Sequence, residues 1–230
     1  MKPQFKAIQS KKTLDTENPE NKKNKDYWEE YNDENPVGNY ENGKVIRSSS
    51  YSQIFFKQFM LDVYLKKDSK ILQFGASTGC FLEEYRTKYP VMGYDYSDQA
   101  IKMLKSKQLP CRQVNLNDVA NVNKCMDLDV DGNLPTNFIA IRIFQYLDDK
   151  ALGALIFTLL KRAAPDSRFI LVNSIGNSPA DGHGLTKNYI ASFFGARTDT
   201  KIMLMSETPK KTVTTTDMHN DDEVLVVQKL

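Results

Sequence analysis

Gly75, Ser77 and Gly79, in the stretch ILQFGASTGC over 71–80, permit two kinds of chemistry. Taken as G-x-S-x-G, they form the sharp turn that presents a serine hydroxyl to a carbonyl. Taken as an apolar run entering a glycine turn, they form a loop whose backbone approaches a nucleotide-like ligand. The first reading needs an acid and then a histidine further along the chain. Only His183 and His219 exist, and His219 lies in the polar stretch TTTDMHNDDE. A nucleophile turn also follows several strands, whereas only a polar arm, an aromatic segment and one expected helix precede this one. No H-G-G-G-like oxyanion segment occurs. The cofactor reading is preferred. It leaves Ser77 either touching the ligand or capping the helix that follows.

Asp95 strengthens that reading. It closes the run VMGYD twenty residues beyond Gly75, where an acid at the tip of a second strand accepts hydrogen bonds from ribose hydroxyls. In an open parallel sheet the site lies beyond the carboxyl ends of the strands. That rule gathers Gly75, Ala76, Ser77, Asp95, Tyr96, Asn115, Leu116, Asn117, Asp118, the segment 142–146 and Asn173 onward. Tyr96 either stacks on a base or packs. Asp118 either lies beside the ligand or caps the next helix. Arg142, expected inside an apolar strand, either meets an acidic substrate or pairs with a carboxylate. Tyr146 and His183 are the candidate bases, with buried packing and a solvated loop as their alternatives.

Alternating strands and helices must hold these residues in place. Serines open an apolar helical pattern over 48–70. Strands are expected at 70–75, 91–97, 111–118, 137–144, 168–174, 200–208 and 222–230. Helices are expected at 80–89, 97–108 (capped by Ser97), 148–167 (ended by Pro165) and 185–196. This order predicts a doubly wound α/β fold. Its sheet has seven mostly parallel strands, helices on both faces and a C-terminal antiparallel hairpin. Residues 1–26 are polar and read as a disordered arm. Residues 27–49 carry Tyr27, Trp28, Tyr31 and Tyr40, and read as a short helix and loop forming a lid over a pocket. Residues 50–230 form the domain proper.

The composition of the 230-residue chain, 40% hydrophobic and 26% charged, fits one such domain. A net charge of +2 gives no general attraction to nucleic acid or an anionic membrane. Cys80, Cys111 and Cys125 include no C-x-x-C pair. They point to reduced thiols in the cytoplasm, not to disulfides or zinc. The stretch MKPQFKAIQSKKTLDTENPENKKNKDY lacks the apolar run expected of a secretory signal, and no segment approaches the ~20 apolar residues that span a bilayer.

ILQFGASTGCFLEEY followed by VMGYDYSDQAIKML resembles the first two motifs of the class I S-adenosylmethionine-dependent methyltransferases. NFIAIRIFQYLDD is similar to their fourth-strand motif, with Gln145 and Tyr146 at its Glu-His. LIFTLLKRAAPDSRFILVNS is similar to the helix, turn and fifth strand that follow. The resemblance implies S-adenosylmethionine as cofactor and S-adenosylhomocysteine as product. Gly75 and Gly79 match the first and third motif glycines, and Asp95 the ribose-binding acid. It also implies a last strand inserted antiparallel between the fifth and sixth. Three positions depart from the pattern. Gln73 replaces an acid that orients the donor's amino acid end. Ser77 replaces the middle glycine, and fits if its backbone angles stay ordinary. Asn115 stands near an acid that contacts the adenine amine. The expected acceptor is a small molecule. RNA or protein as acceptor, and a non-enzymatic binding member of the fold, are the alternatives.

Overall fold

The computed structural model describes residues 39–41, 44–46, 56, 60–147, 149–174, 187–207 and 222–230. The expected arm at 1–26 lies outside them. Within the aromatic segment, β1 (Asn39–Glu41) and β2 (Lys44–Ile46) pair antiparallel as a small ribbon, not the expected loop.

The domain is built on β3 (Lys70–Phe74), β4 (Val91–Asp95), β5 (Cys111–Gln113), β6 (Thr136–Ile141), β7 (Arg168–Ser174), β8 (Thr200–Glu207) and β9 (Asp222–Lys229). These seven strands lie in the order β5-β4-β3-β6-β7-β9-β8. The first five are parallel. β9 runs antiparallel to both β7 and β8, so the predicted hairpin carries its last strand into the interior and leaves β8 at the edge. Each parallel connection crosses a face of the sheet. α1 (Cys80–Tyr85) and α2 (Asp98–Ser106) cover one face. α3 (Val119–Asp129), α4 (Asp149–Arg162) and α5 (Lys187–Gly195) cover the other.

Alternation along the strands divides the core. Ile71, Ile139, Ile141, Ile170, Val172, Val224 and Val226 face α1 and α2. Leu72, Phe74, Phe138, Ala140, Phe169, Leu171 and Leu225 face the other three helices. β6 is buried at all six positions, as a central parallel strand covered on both faces must be. Its one amide is accommodated at the lower rim. Asn137 accepts from Lys66 N–H at 2.8 Å and donates to Ser69 Oγ at 2.6 Å.

Several elements differ from expectation. The helical pattern across 48–70 is interrupted: Met60 has φ 50°, and a 3-10 turn, Leu61–Tyr64, follows it. β5 is three residues long, shorter than the strand expected over 111–118, and beyond it Val114 N–H still donates to Asp95 O of β4 at 2.8 Å. α3 was anticipated only as the helix that Asp118 would cap, with no bounds. Its apolar residues Val122, Cys125 and Met126 are separated by Asn, Lys and Asp, which diluted the period. Among the described residues, no helix is long and apolar enough to cross a membrane.

Candidate functional site

The upper rim of the sheet, where β3, β4 and β6 end, brings the glycine turn to Asp95. Gly75 (φ 66°) turns the chain out of β3, and Ala76 N–H is caught by Tyr94 O at 3.0 Å. Gly79 (φ 73°) starts α1 and receives the Glu83 N–H at 2.9 Å. A Cβ on Gly79 would lie 2.6 Å from Leu104 Cδ2 and 2.8 Å from Leu109 Cδ1, so the turn seats against α2 only with glycine there.

Ser77 does not keep ordinary backbone angles. It has φ 47°, in the left-handed region that costs a non-glycine residue about 1–2 kcal/mol. One interaction that holds it there is visible. Its N–H donates to Asp95 Oδ2 at 2.8 Å, while Asp95 Oδ1 accepts Ser97 N–H at 3.0 Å. Asp95 therefore ties the glycine turn to the start of α2. Ser97 caps α2 as expected, its Oγ accepting Ala100 N–H at 3.1 Å. Gly79, and not Ser77, stands at the N-cap position of α1.

Along the rim, Asn115 is buried. Its Oδ1 accepts Asn117 N–H at 2.9 Å, and its Nδ2 has no hydrogen-bond partner among the described residues. Leu116 is buried beside it and Asn117 is half-buried. Asp118 caps α3, its Oδ1 accepting Asn121 N–H at 3.0 Å. Tyr96 is half-buried and its carbonyl accepts from Gln113 Nε2 at 3.1 Å. Gln73 is 1% exposed and lies within β3, one step below the turn.

Arg142 is not inside the strand. It follows β6 in a left-handed conformation (φ 55°), its N–H donating to Val172 O at 2.7 Å. A 3-10 turn, Phe144–Tyr146, comes next, with Tyr146 half-buried and its N–H on Ile143 O at 3.0 Å. The rim thus gathers Gly75, Ala76, Ser77, Gly79 and Asp95, with the start of 142–146 on the neighbouring strand. His183 and the side chain of Asn173 fall outside the described residues.

The site rests on a buried polar anchor that the sequence did not disclose. Tyr94, the residue before Asp95, donates its hydroxyl to Asp129 Oδ2 at 2.6 Å from beneath the sheet. Arg112 makes a two-point contact with the same carboxylate, at 2.5 and 2.9 Å. Burial pushes the Asp129 carboxyl up, but the bonds from Arg112 and Tyr94 outweigh it and hold the group below its usual range. Burial and the neighbouring Asp129 raise the Tyr94 hydroxyl. β4, β5 and α3 are pinned together at this point. With the extent of α3 not legible in the sequence the network stayed hidden, since Asp129 is its last residue.

No protein-family model and no curated protein matches the sequence. Solved structures do match the fold. A methyltransferase from Archaeoglobus fulgidus superposes with TM-score 0.58 at 14% identity, over 79% of this chain and 95% of its own. One from Anabaena variabilis gives 0.60 at 13%, over 89% and 94%. Magnesium protoporphyrin IX methyltransferase from Synechocystis, solved with S-adenosylmethionine bound, gives 0.61 at 13%, over 93% and 98%. The fold is that of the class I S-adenosylmethionine-dependent methyltransferases. Within this methyltransferase fold, β9 is the strand inserted antiparallel between the fifth and sixth. The glycine turn joins the first strand of the large sheet to its first crossover helix.

Proposed function

We propose that the chain is an S-adenosylmethionine-dependent methyltransferase whose acceptor is a small molecule. The observation that carries this is the Asp95 carboxylate at the tip of β4, bonded to the N–H of Ser77 in the turn after β3. The same carboxylate accepts the Ser97 N–H at 3.0 Å, and a carboxylate oxygen accepts more than one hydrogen bond. An acid at the tip of the second strand suits the vicinal hydroxyls of a ribose.

Other residues fit the same ligand. The unfilled Nδ2 of Asn115 is a donor in need of an acceptor, and a purine ring nitrogen is one. Gly75, Ala76, Ser77 and Gly79 offer a turn for the donor's amino acid end, with Gln73 beneath as a neutral replacement for an acid. Tyr96, Leu116 and Asn117 flank the adenine position, and Asp118 supports it as the cap of α3. When bound, S-adenosylmethionine supplies an electrophilic methyl group that an acceptor takes in line, leaving S-adenosylhomocysteine. The protein's part is to align the partners and exclude water. Tyr146 or His183 would take a proton if the acceptor carries one. Arg142 beside the turn would favour an anionic group. The structural likeness to a porphyrin methyltransferase supports, without fixing, a small acceptor.

Calorimetric titration with S-adenosylhomocysteine tests the reading. Micromolar, one-to-one binding is the expected result. Absence of binding at millimolar ligand would refute the donor site. Binding with no methyl transfer to any acceptor would place the chain among non-enzymatic members of the fold.

A further inference from the structure

Ile143 lies within the segment 142–146 gathered from the sequence, where no role was given to it, and it touches the most constrained point of the rim. A Cβ built on Gly75 would fall inside the side chain of Ile143, against its Cδ1 and Cγ1. The space above Gly75 is therefore filled by Ile143. This contact joins neighbouring strands, since β3 and β6 pair in parallel with Phe74 opposite Ala140. Six described non-glycine residues have positive φ: Met60, Asp68, Ser77, Gln108, Arg142 and Asp166. Ser77 and Arg142 are the two that follow the carboxyl ends of sheet strands, and they flank this contact from either side. Arg142 turns left-handed directly before Ile143, with its N–H fixed on Val172 O at 2.7 Å. Ile143 O then accepts Tyr146 N–H at 3.0 Å and anchors the 3-10 turn. Clustered backbone strain of this kind marks places where geometry is set by function.

We propose that Ile143 is a positioning residue that couples the turn holding the donor to the 142–146 segment on the acceptor side. Arg142 directs the side chain, Ile143 clamps Gly75, and Gly75 sets the direction in which Ser77 N–H meets Asp95. An acceptor that displaces 142–146 would shift the clamp and so change donor affinity. The proposal rests on the donor-site reading above, and its test is separable from it.

Ile143→Val removes Cδ1, the atom set against Gly75, and keeps a β-branched apolar residue in place. Ile143→Ala removes the clamp. Three quantities are measured on the full chain: hydrogen exchange of the Ser77 amide, S-adenosylhomocysteine affinity, and thermal stability. The expected result is that Ser77 exchange rises in both variants, about tenfold for Ile143→Ala, while the Val226 amide in mid-sheet is unchanged. S-adenosylhomocysteine affinity falls by a similar factor, and less for Ile143→Val. Equal Ser77 exchange in Ile143→Ala and the unaltered protein would overturn the proposal. So would acceleration of Ser77 and Val226 together, which would make Ile143 merely a core residue. Should the unaltered protein bind no S-adenosylhomocysteine, the donor site fails, and Ser77 exchange alone still decides whether Ile143 clamps the turn.

Discussion

Asp95→Asn separates the latch on the glycine turn from ordinary structural loss. The carboxylate accepts two backbone N–H groups, from Ser77 at 2.8 Å and Ser97 at 3.0 Å. An asparagine keeps one oxygen and sets its NH2 against the other donor. One hydrogen bond to a charged acceptor is lost, worth about 1.5–3 kcal/mol. Asp95 is half-buried, so solvent screening favours the lower figure. Since 1.4 kcal/mol is tenfold in affinity, S-adenosylhomocysteine binding should weaken by roughly tenfold. Melting should fall by roughly 3–6 °C for a chain of this size. Ser97→Ala is the control. It removes the α2 cap (Ser97 Oγ to Ala100 N–H) but keeps the Ser97 N–H that reaches Asp95. It should cost about 1 kcal/mol of stability and leave affinity within about twofold. Calorimetry and thermal melts on the three proteins give the answer. Unchanged affinity in Asp95→Asn, or equal loss in Ser97→Ala, would refute the reasoning.

Four further outcomes follow from the same geometry. Asp129→Ala strips the carboxylate from Tyr94 and Arg112 and should lower stability by about 3 kcal/mol, or roughly 6–12 °C in melting; a drop under about 2 °C would mean the network is slack. Because the folded Asp129 carboxyl titrates below its unfolded value, its contribution is full above about pH 4 and is lost as pH falls through the folded value. Urea melts of the native protein and Asp129→Asn should therefore converge in acid but not at pH 7. Ser77→Gly relieves a left-handed φ of 47° while adding freedom to the unfolded chain, for a net gain of up to about 1 kcal/mol in urea unfolding; a loss of stability would show that the Ser77 side chain holds the turn. Gly79→Ala must fit a methyl 2.6 Å from Leu104 at φ 73° and should cost about 2–4 kcal/mol, read in the same way.

The order of elements was legible because its signals are local. β3 and β7 are short apolar runs bounded by turn residues, and Ser97 caps α2 through a bond three residues away. Asp95 and the two glycines could be picked out for the same reason: spacing along the chain places a strand tip and a turn on one rim. Signals that depend on contrast were weaker. The extent of α3 beyond its Asp118 cap went unread because polar residues interrupt its apolar face, and the helical pattern over 48–70 concealed the break at Met60.

By itself, then, the sequence determined the class of fold, the mostly parallel pairing of the sheet, the closing hairpin, and the glycine turn and strand-tip acid that share one rim. These follow from hydrophobic period, turn residues and caps, all set by neighbours a few residues apart. Tertiary structure alone decided that Ser77 is left-handed and latched to Asp95, and that Ile143 fills the space over Gly75. It alone joined Tyr94, Arg112 and Asp129 into one buried anchor, across chain separations of 17 and 35 residues. Such contacts have no period along the chain. They exist only because parallel pairing brings distant strand ends side by side, and burial then makes each polar group find a partner.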